Sequence, residues 1–147
     1  MTVTLEARVD VDAPPEVVWA AVTDWPAQGK WIPGTVVGVV EGDGRSVGSR
    51  LFAFTGVADI GFLDTMEITE WQPPYRCQVR HLGRLLRGYG LFAVEPRGQA
   101  ATFVWTEELQ PPFGPLGQAA LWLGRPVFEA LLRRAARTFA AWCVSQR

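Results

Sequence analysis

The side chains best suited to moving a proton near neutral pH are the lone histidine, His81, and a glutamate, Glu107, set in an aromatic strand. His81 falls in the run C-Q-V-R-H-L, where alternation puts its imidazole on the same face as Cys77 and Val79, the face expected to be concave. An imidazole at a cavity edge suits general acid–base work. The plainer reading is a strand-end histidine bonded to backbone or solvent, and a lone residue does not decide between the two. In T-F-V-W-T-E-E-L, the residues Phe103, Trp105, Glu107 and Leu109 share one face. If that aromatic face points inward, Glu107 meets an apolar pocket, where desolvation favours the protonated acid and a hydrogen bond to a ligand carbonyl. The competing reading pairs Glu107 with an arginine at the rim.

Other chemistries lack their residues. One histidine and two widely separated cysteines, Cys77 and Cys143, do not build a usual zinc site, and no carboxylate spacing suggests calcium, so no metal or other cofactor is expected. Both cysteines read as free, buried thiols. There is no phosphate-binding loop, dinucleotide fingerprint or nucleophile elbow. A formal net charge of -1 provides no global field to attract nucleic acid or an anionic membrane. Arg133, Arg134 and Arg137 form a local basic patch, and Glu129 one turn earlier favours a solvated helix face there. No apolar run approaches the ~20 residues that span a bilayer. The opening M-T-V-T-L-E-A-R-V-D-V lacks the pattern of a signal peptide, so a cytoplasmic location is expected.

The elements that must position these groups follow from periodicity. Val3, Leu5, Ala7, Val9 and Val11 alternate as a half-buried strand. Pro14 and Pro15 suit a first helical turn, and Val17, Val18, Ala21, Val22 and Trp25 continue at helical spacing. Trp31 then lies in a loop broken by Pro33 and Gly34. Six β-rich runs follow between residues 35 and 109, separated by G-D-G, T-G, Q-P-P, L-G and P-R-G, which predicts an antiparallel meander. Finally Leu116, Ala120, Leu123, Val127, Leu131, Ala135, Phe139 and Trp142 form one helical stripe, with a kink or a fresh helix expected at Pro126. A one-sided antiparallel sheet must cover its apolar face, and this long helix is the candidate cover.

The inward faces of these elements supply the expected ligand-binding wall. Phe62, Asp64, Met66 and Ile68 share a face, as do Gly88, Gly90, Phe92 and Val94, whose glycines leave room or mark curvature. From these sets the expected wall takes Trp31, Phe62, Met66, Ile68, Val79, His81, Phe92, Phe103, Trp105 and Glu107, with Leu123, Val127 and Leu131 from the helix. In the run R-L-F-A-F both faces are apolar; Phe52 and Phe54 are assigned inward over Leu51 and Ala53.

Several fragments in order carry a family likeness: V-D-A-P-P-E-V-V-W, then Trp31 and Pro33, V-G-S-R, I-T-E-W-Q-P-P-Y-R, A-V-E-P-R-G, and the aromatic strand with Trp105. In these the chain resembles the START-related helix-grip (SRPBCC) superfamily, particularly its bacterial polyketide cyclase/dehydrase and lipid-transport branch. The resemblance covers essentially all of residues 1–147 and implies one α+β ligand-binding domain. Its fold would be a curved seven-stranded antiparallel sheet wrapped around a long C-terminal helix, with short helices after strand one. It further implies a cavity between sheet and helix for a small hydrophobic ligand such as a polyketide, lipid or aromatic compound. No family-wide catalytic motif comes with it. An enzyme of the cyclase/dehydratase type, using His81 or Glu107 on a poly-β-keto chain, and a protein-interaction domain stand as alternatives, and homodimerisation is left open.

Overall fold

A computed structural model describes residues 2–146. The elements run β1 (Val3–Val11), α1 (Pro15–Val22), a 3-10 helix (Trp25–Lys30), β2 (Thr35–Glu41), β3 (Arg50–Val57), β4 (Ile60–Gln72), β5 (Arg76–Leu82), β6 (Arg87–Arg97), β7 (Ala100–Leu109) and α2 (Gly114–Ser145). The seven strands form one antiparallel sheet in the order β1-β7-β6-β5-β4-β3-β2. This is the helix-grip arrangement: six strands in a meander, with β1 closing onto the last of them.

Alternation sets which side chains reach the concave face. Along β1, Val3, Leu5, Ala7 and Val11 are buried, and along β7 Ala101, Phe103 and Trp105 are buried. The core between sheet and α2 is aromatic. Phe139 lies 5.0 Å from Trp31 and 4.9 Å from Phe103 between ring centroids, and Trp31 lies 5.6 Å from Trp105, mostly in edge-on or tilted geometry. Ala135, Ala136 and Cys143 complete the buried face of the last turns of α2.

Two expectations about α2 change. The helix is continuous from Gly114 to Ser145, with Pro126 inside it and no fresh start there. A proline at 126 removes the hydrogen bond to the Trp122 carbonyl; Trp122 is itself exposed, so water can satisfy that carbonyl. The apolar stripe is also buried only in its C-terminal half. Leu123, Val127 and Leu131 are 72%, 64% and 57% exposed, because the first half of the helix does not pack on the concave face. Among the described residues, no helix is long and apolar enough to cross a membrane.

Candidate functional site

A cavity of about 160 Å³ lies on the concave face. Its wall comes from β2 (Thr35, Val37), β3 (Leu51, Ala53, Thr55), β4 (Asp64, Met66), β5 (Cys77, Val79, His81), β6 (Gly90, Phe92) and β7 (Trp105, Glu107). Trp25, Gln28 and Ile32 close it from the 3-10 helix and the loop beyond. No residue of α2 takes part, so the covering element is the 3-10 segment and not the C-terminal helix. The volume resembles a roughly 150 Å³ apolar cavity known to admit benzene and falls below the ~300–1,000 Å³ of drug-sized sites. It has room for about one ring.

Of the expected wall residues, Met66, Val79, His81, Phe92, Trp105 and Glu107 line this cavity. Trp31, Ile68 and Phe103 are fully buried in the core and do not line it. Phe62 shares its strand face with Asp64 and Met66 but lies outside the lining and is 39% exposed. Leu123, Val127 and Leu131 stand on the exposed half of α2 and do not reach it. In β3 the assignment reverses: Leu51 and Ala53 face inward, opposite Met66 and Asp64, while Phe52 and Phe54 lie on the outer face. The reason is two glycines. Phe52 pairs with Gly38, where an added methyl would meet its ring at 2.7 Å, and Phe54 covers Gly61 at 2.8 Å in the same sense. The rings occupy outer-face space that glycine leaves open.

One cluster stands out on this mainly apolar wall. His81 Nδ1 lies 2.9 Å and 3.1 Å from the two carboxyl oxygens of Asp64, and Nε2 lies 2.9 Å from Oε2 of Glu107. The other oxygen, Oε1, accepts the Trp105 indole N–H at 3.0 Å. Glu107 therefore pairs with His81 and Trp105 and not with a rim arginine. The sequence reading placed Asp64 on the inward face without giving it a role; its signal was a carboxylate sharing that face with Phe62, Met66 and Ile68.

The strands explain how the three meet. His81 pairs with Met66 across β4, and Asp64 sits two residues further along the same face of that strand. To reach β7, His81 must be met across β6, and Gly90, the direct partner of both Val79 and Glu107, opens the way. A methyl at Gly90 would lie 3.1 Å and 3.2 Å from the Glu107 carboxylate oxygens and 3.3 Å from Val79 Cγ2. The missing side chain lets Glu107 lean over β6 towards the imidazole.

A neutral imidazole has one N–H, so a ring with carboxylates at hydrogen-bond distance from both nitrogens is held doubly protonated. Burial by itself pulls the His81 pKa down; the hydrogen bonds and charges of Asp64 and Glu107 outweigh it and push it up to about 10. Burial pushes the neighbouring Cys77 thiol up to about 12, so it faces the cavity as a neutral thiol. Among the described residues, no group of three or more His, Cys, Asp or Glu is arranged to hold a metal ion. In this cluster the two imidazole nitrogens point to opposite carboxylates and share no common centre.

Fold and site together define a helix-grip domain with a ring-sized cavity and a carboxylate–imidazolium–carboxylate row on its wall. The chain belongs to the polyketide cyclase / dehydrase and lipid transport family, which it matches over residues 2–141. No curated protein matches the sequence. Among solved structures, TTHA0849 from Thermus thermophilus is similar with a TM-score of 0.80 at 15% identity, covering 98% of this chain and 99% of that one. The Zhui aromatase/cyclase from Streptomyces sp. R1128 is similar with a TM-score of 0.72 at 18% identity, covering 99% and 93%. Norcoclaurine synthase from Thalictrum flavum, solved with dopamine and hydroxybenzaldehyde, gives 0.72 at 14% identity, covering 100% and 89%. At these identities the likeness is one of fold.

Proposed function

We propose that this protein takes a small hydrophobic molecule, about one ring in size, into the cavity and exchanges a proton with it through the Glu107 carboxylate. The reading rests chiefly on the Asp64–His81–Glu107 row. Three ionisable groups on a buried apolar wall are costly relative to a hydrophobic core of the same volume, and such costs concentrate at functional sites. In the row, His81 Nε2 faces one carboxyl oxygen of Glu107, Asp64 holds the imidazole from its other side, and Trp105 fixes the second Glu107 oxygen. A carboxyl group fixed in this way on the wall of an apolar chamber is positioned to exchange a proton with whatever the chamber holds. The aromatase/cyclase and the synthase among the similar folds are in keeping with proton-transfer chemistry of this kind.

Native mass spectrometry on protein exposed to an extract of its own host tests the first half. The wild type should retain a small ligand and Ala53→Trp, which fills the cavity, should lose it; retention by a folded Ala53→Trp, or none in the wild type, overturns the reading. For the second half, the retained compound is incubated with protein in deuterated water. Wild type should catalyse deuterium incorporation at carbon, where exchange is slow without a base, and Glu107→Gln should slow it by about 100-fold while still binding the compound. Equal rates would remove Glu107 from the chemistry.

A further inference from the structure

Taking the cavity as a ligand site, its donors and acceptors narrow the ligand. Both His81 N–H groups are given to carboxylates, and the Trp105 indole N–H is given to Glu107. Trp25 donates its indole N–H out of the cavity, to the Gly44 carbonyl at 2.9 Å. Gln28 gives an amide proton to the Val22 carbonyl at 3.2 Å. The Thr35 hydroxyl lies 3.2 Å from the Pro33 carbonyl and 3.0 Å from the Thr55 hydroxyl, so this pair can spend both of its protons on each other and on the backbone. What remains for a ligand is one further amide proton of Gln28 and the weak Cys77 thiol.

Acceptors are in surplus. A carboxylate has about four lone-pair sites, and only two contacts to each of Asp64 and Glu107 come from the protein. The charge is also unbalanced, since one imidazolium between two carboxylates leaves one negative charge on a wall with no other charged residue. A ligand that brings a donor satisfies the unused acceptors; one that brings a carboxylate meets like charge and gains no partner.

We infer that the cavity selects single-ring molecules carrying a hydrogen-bond donor, a hydroxyl or an ammonium, and rejects ring carboxylates. This goes beyond ring-sized binding: it fixes the polar group that turns towards Asp64 and Glu107.

Isothermal titration calorimetry of the full chain with four single-ring probes decides the matter: phenol, benzylamine, toluene and benzoate. Phenol or benzylamine should bind at least about tenfold more tightly than toluene, with benzoate weakest, and whichever leads identifies hydroxyl or ammonium as the preferred donor. Toluene matching the better of the two donor probes, or benzoate binding as well as toluene, overturns the donor preference while leaving ring-sized binding intact. Binding of none of the four overturns both. In Glu107→Gln the cluster becomes neutral, and the disadvantage of benzoate should shrink by about tenfold or more; an unchanged disadvantage also counts against the assignment.

Discussion

Two neighbouring rows of the sheet run across the same three strands and do opposite things. Cys77, Phe92 and Trp105 are paired across β5, β6 and β7; two residues along, Val79, Gly90 and Glu107 are paired across the same strands. The first row is filled, with Phe92 5.7 Å from Trp105 and 5.4 Å from Phe103 between ring centroids. In the second the middle position is glycine, and the carboxylate leans into the space. Both rows line the chamber, and they differ in the residue at the centre, a ring in one and no side chain in the other. The polar cluster sits where the packing was left incomplete.

The largest effect should come from the aromatic core that backs the filled row, where Phe103 touches Phe92. Phe103 is completely buried against Trp31, Phe92 and Phe139, so Phe103→Ala should lower stability by about 3–5 kcal/mol, read from the urea unfolding midpoint. A loss under about 1 kcal/mol would mean the aromatic floor is loosely packed.

The next effect belongs to His81, which the open row's Glu107 leans over β6 to meet, and depends on pH. His81 has a folded pKa of about 10 against an ordinary 6.5, so its contribution is complete below about pH 6.5 and disappears as pH rises through about 10. The wild-type melting temperature should therefore fall across that window by roughly 5 °C or more beyond any fall in His81→Gln. Parallel profiles would show that the imidazole carries no extra proton in the fold.

The smallest effect sharpens the contrast. Gly90→Ala gains strand stability of roughly 0.5–1 kcal/mol from the methyl and loses a comparable amount by crowding Glu107, leaving stability nearly unchanged. Deuterium exchange into the retained ligand should nevertheless drop about tenfold, since small displacements of a catalytic group are expensive. An unaltered rate would show that the lean of Glu107 over β6 is unimportant.

How much of this was legible beforehand varied with the local signal. Alternation in β5 and β7 put Val79 and His81 on one face and Trp105 and Glu107 on another, because those strands have one polar and one apolar side. In β3 both faces are apolar, and the choice depended on glycines in neighbouring strands that only the register brings beside Phe52 and Phe54. Gln28 and Ile32 belong to a segment without period, and Trp25, read as continuing the helical spacing, instead begins the 3-10 helix, so their closing role had no sequence signature. The helical stripe was correctly periodic, yet periodicity does not say how far the partner surface extends, and Leu123, Val127 and Leu131 lie beyond it. Asp64 was visible as an inward carboxylate, but its link to His81 required the pairing of β4 with β5.

The pairing of β1 with β7 has a consequence in time. Val3 lies opposite Leu109 and Val11 opposite Ala101, so β1, made before the other six strands, has no partner until some hundred residues have followed it. Hairpins from β2 to β6 can zip up as they emerge, each closing a short loop. The apolar side of β1 must wait, unsatisfied, for the far end of the chain. Contacts of such long sequence separation place folding among the slower topologies, in milliseconds to seconds, with an aggregation-prone edge exposed meanwhile. Glu107, on the last strand, is put in place by the β6–β7 hairpin, so the cluster is assembled only when the meander reaches its end.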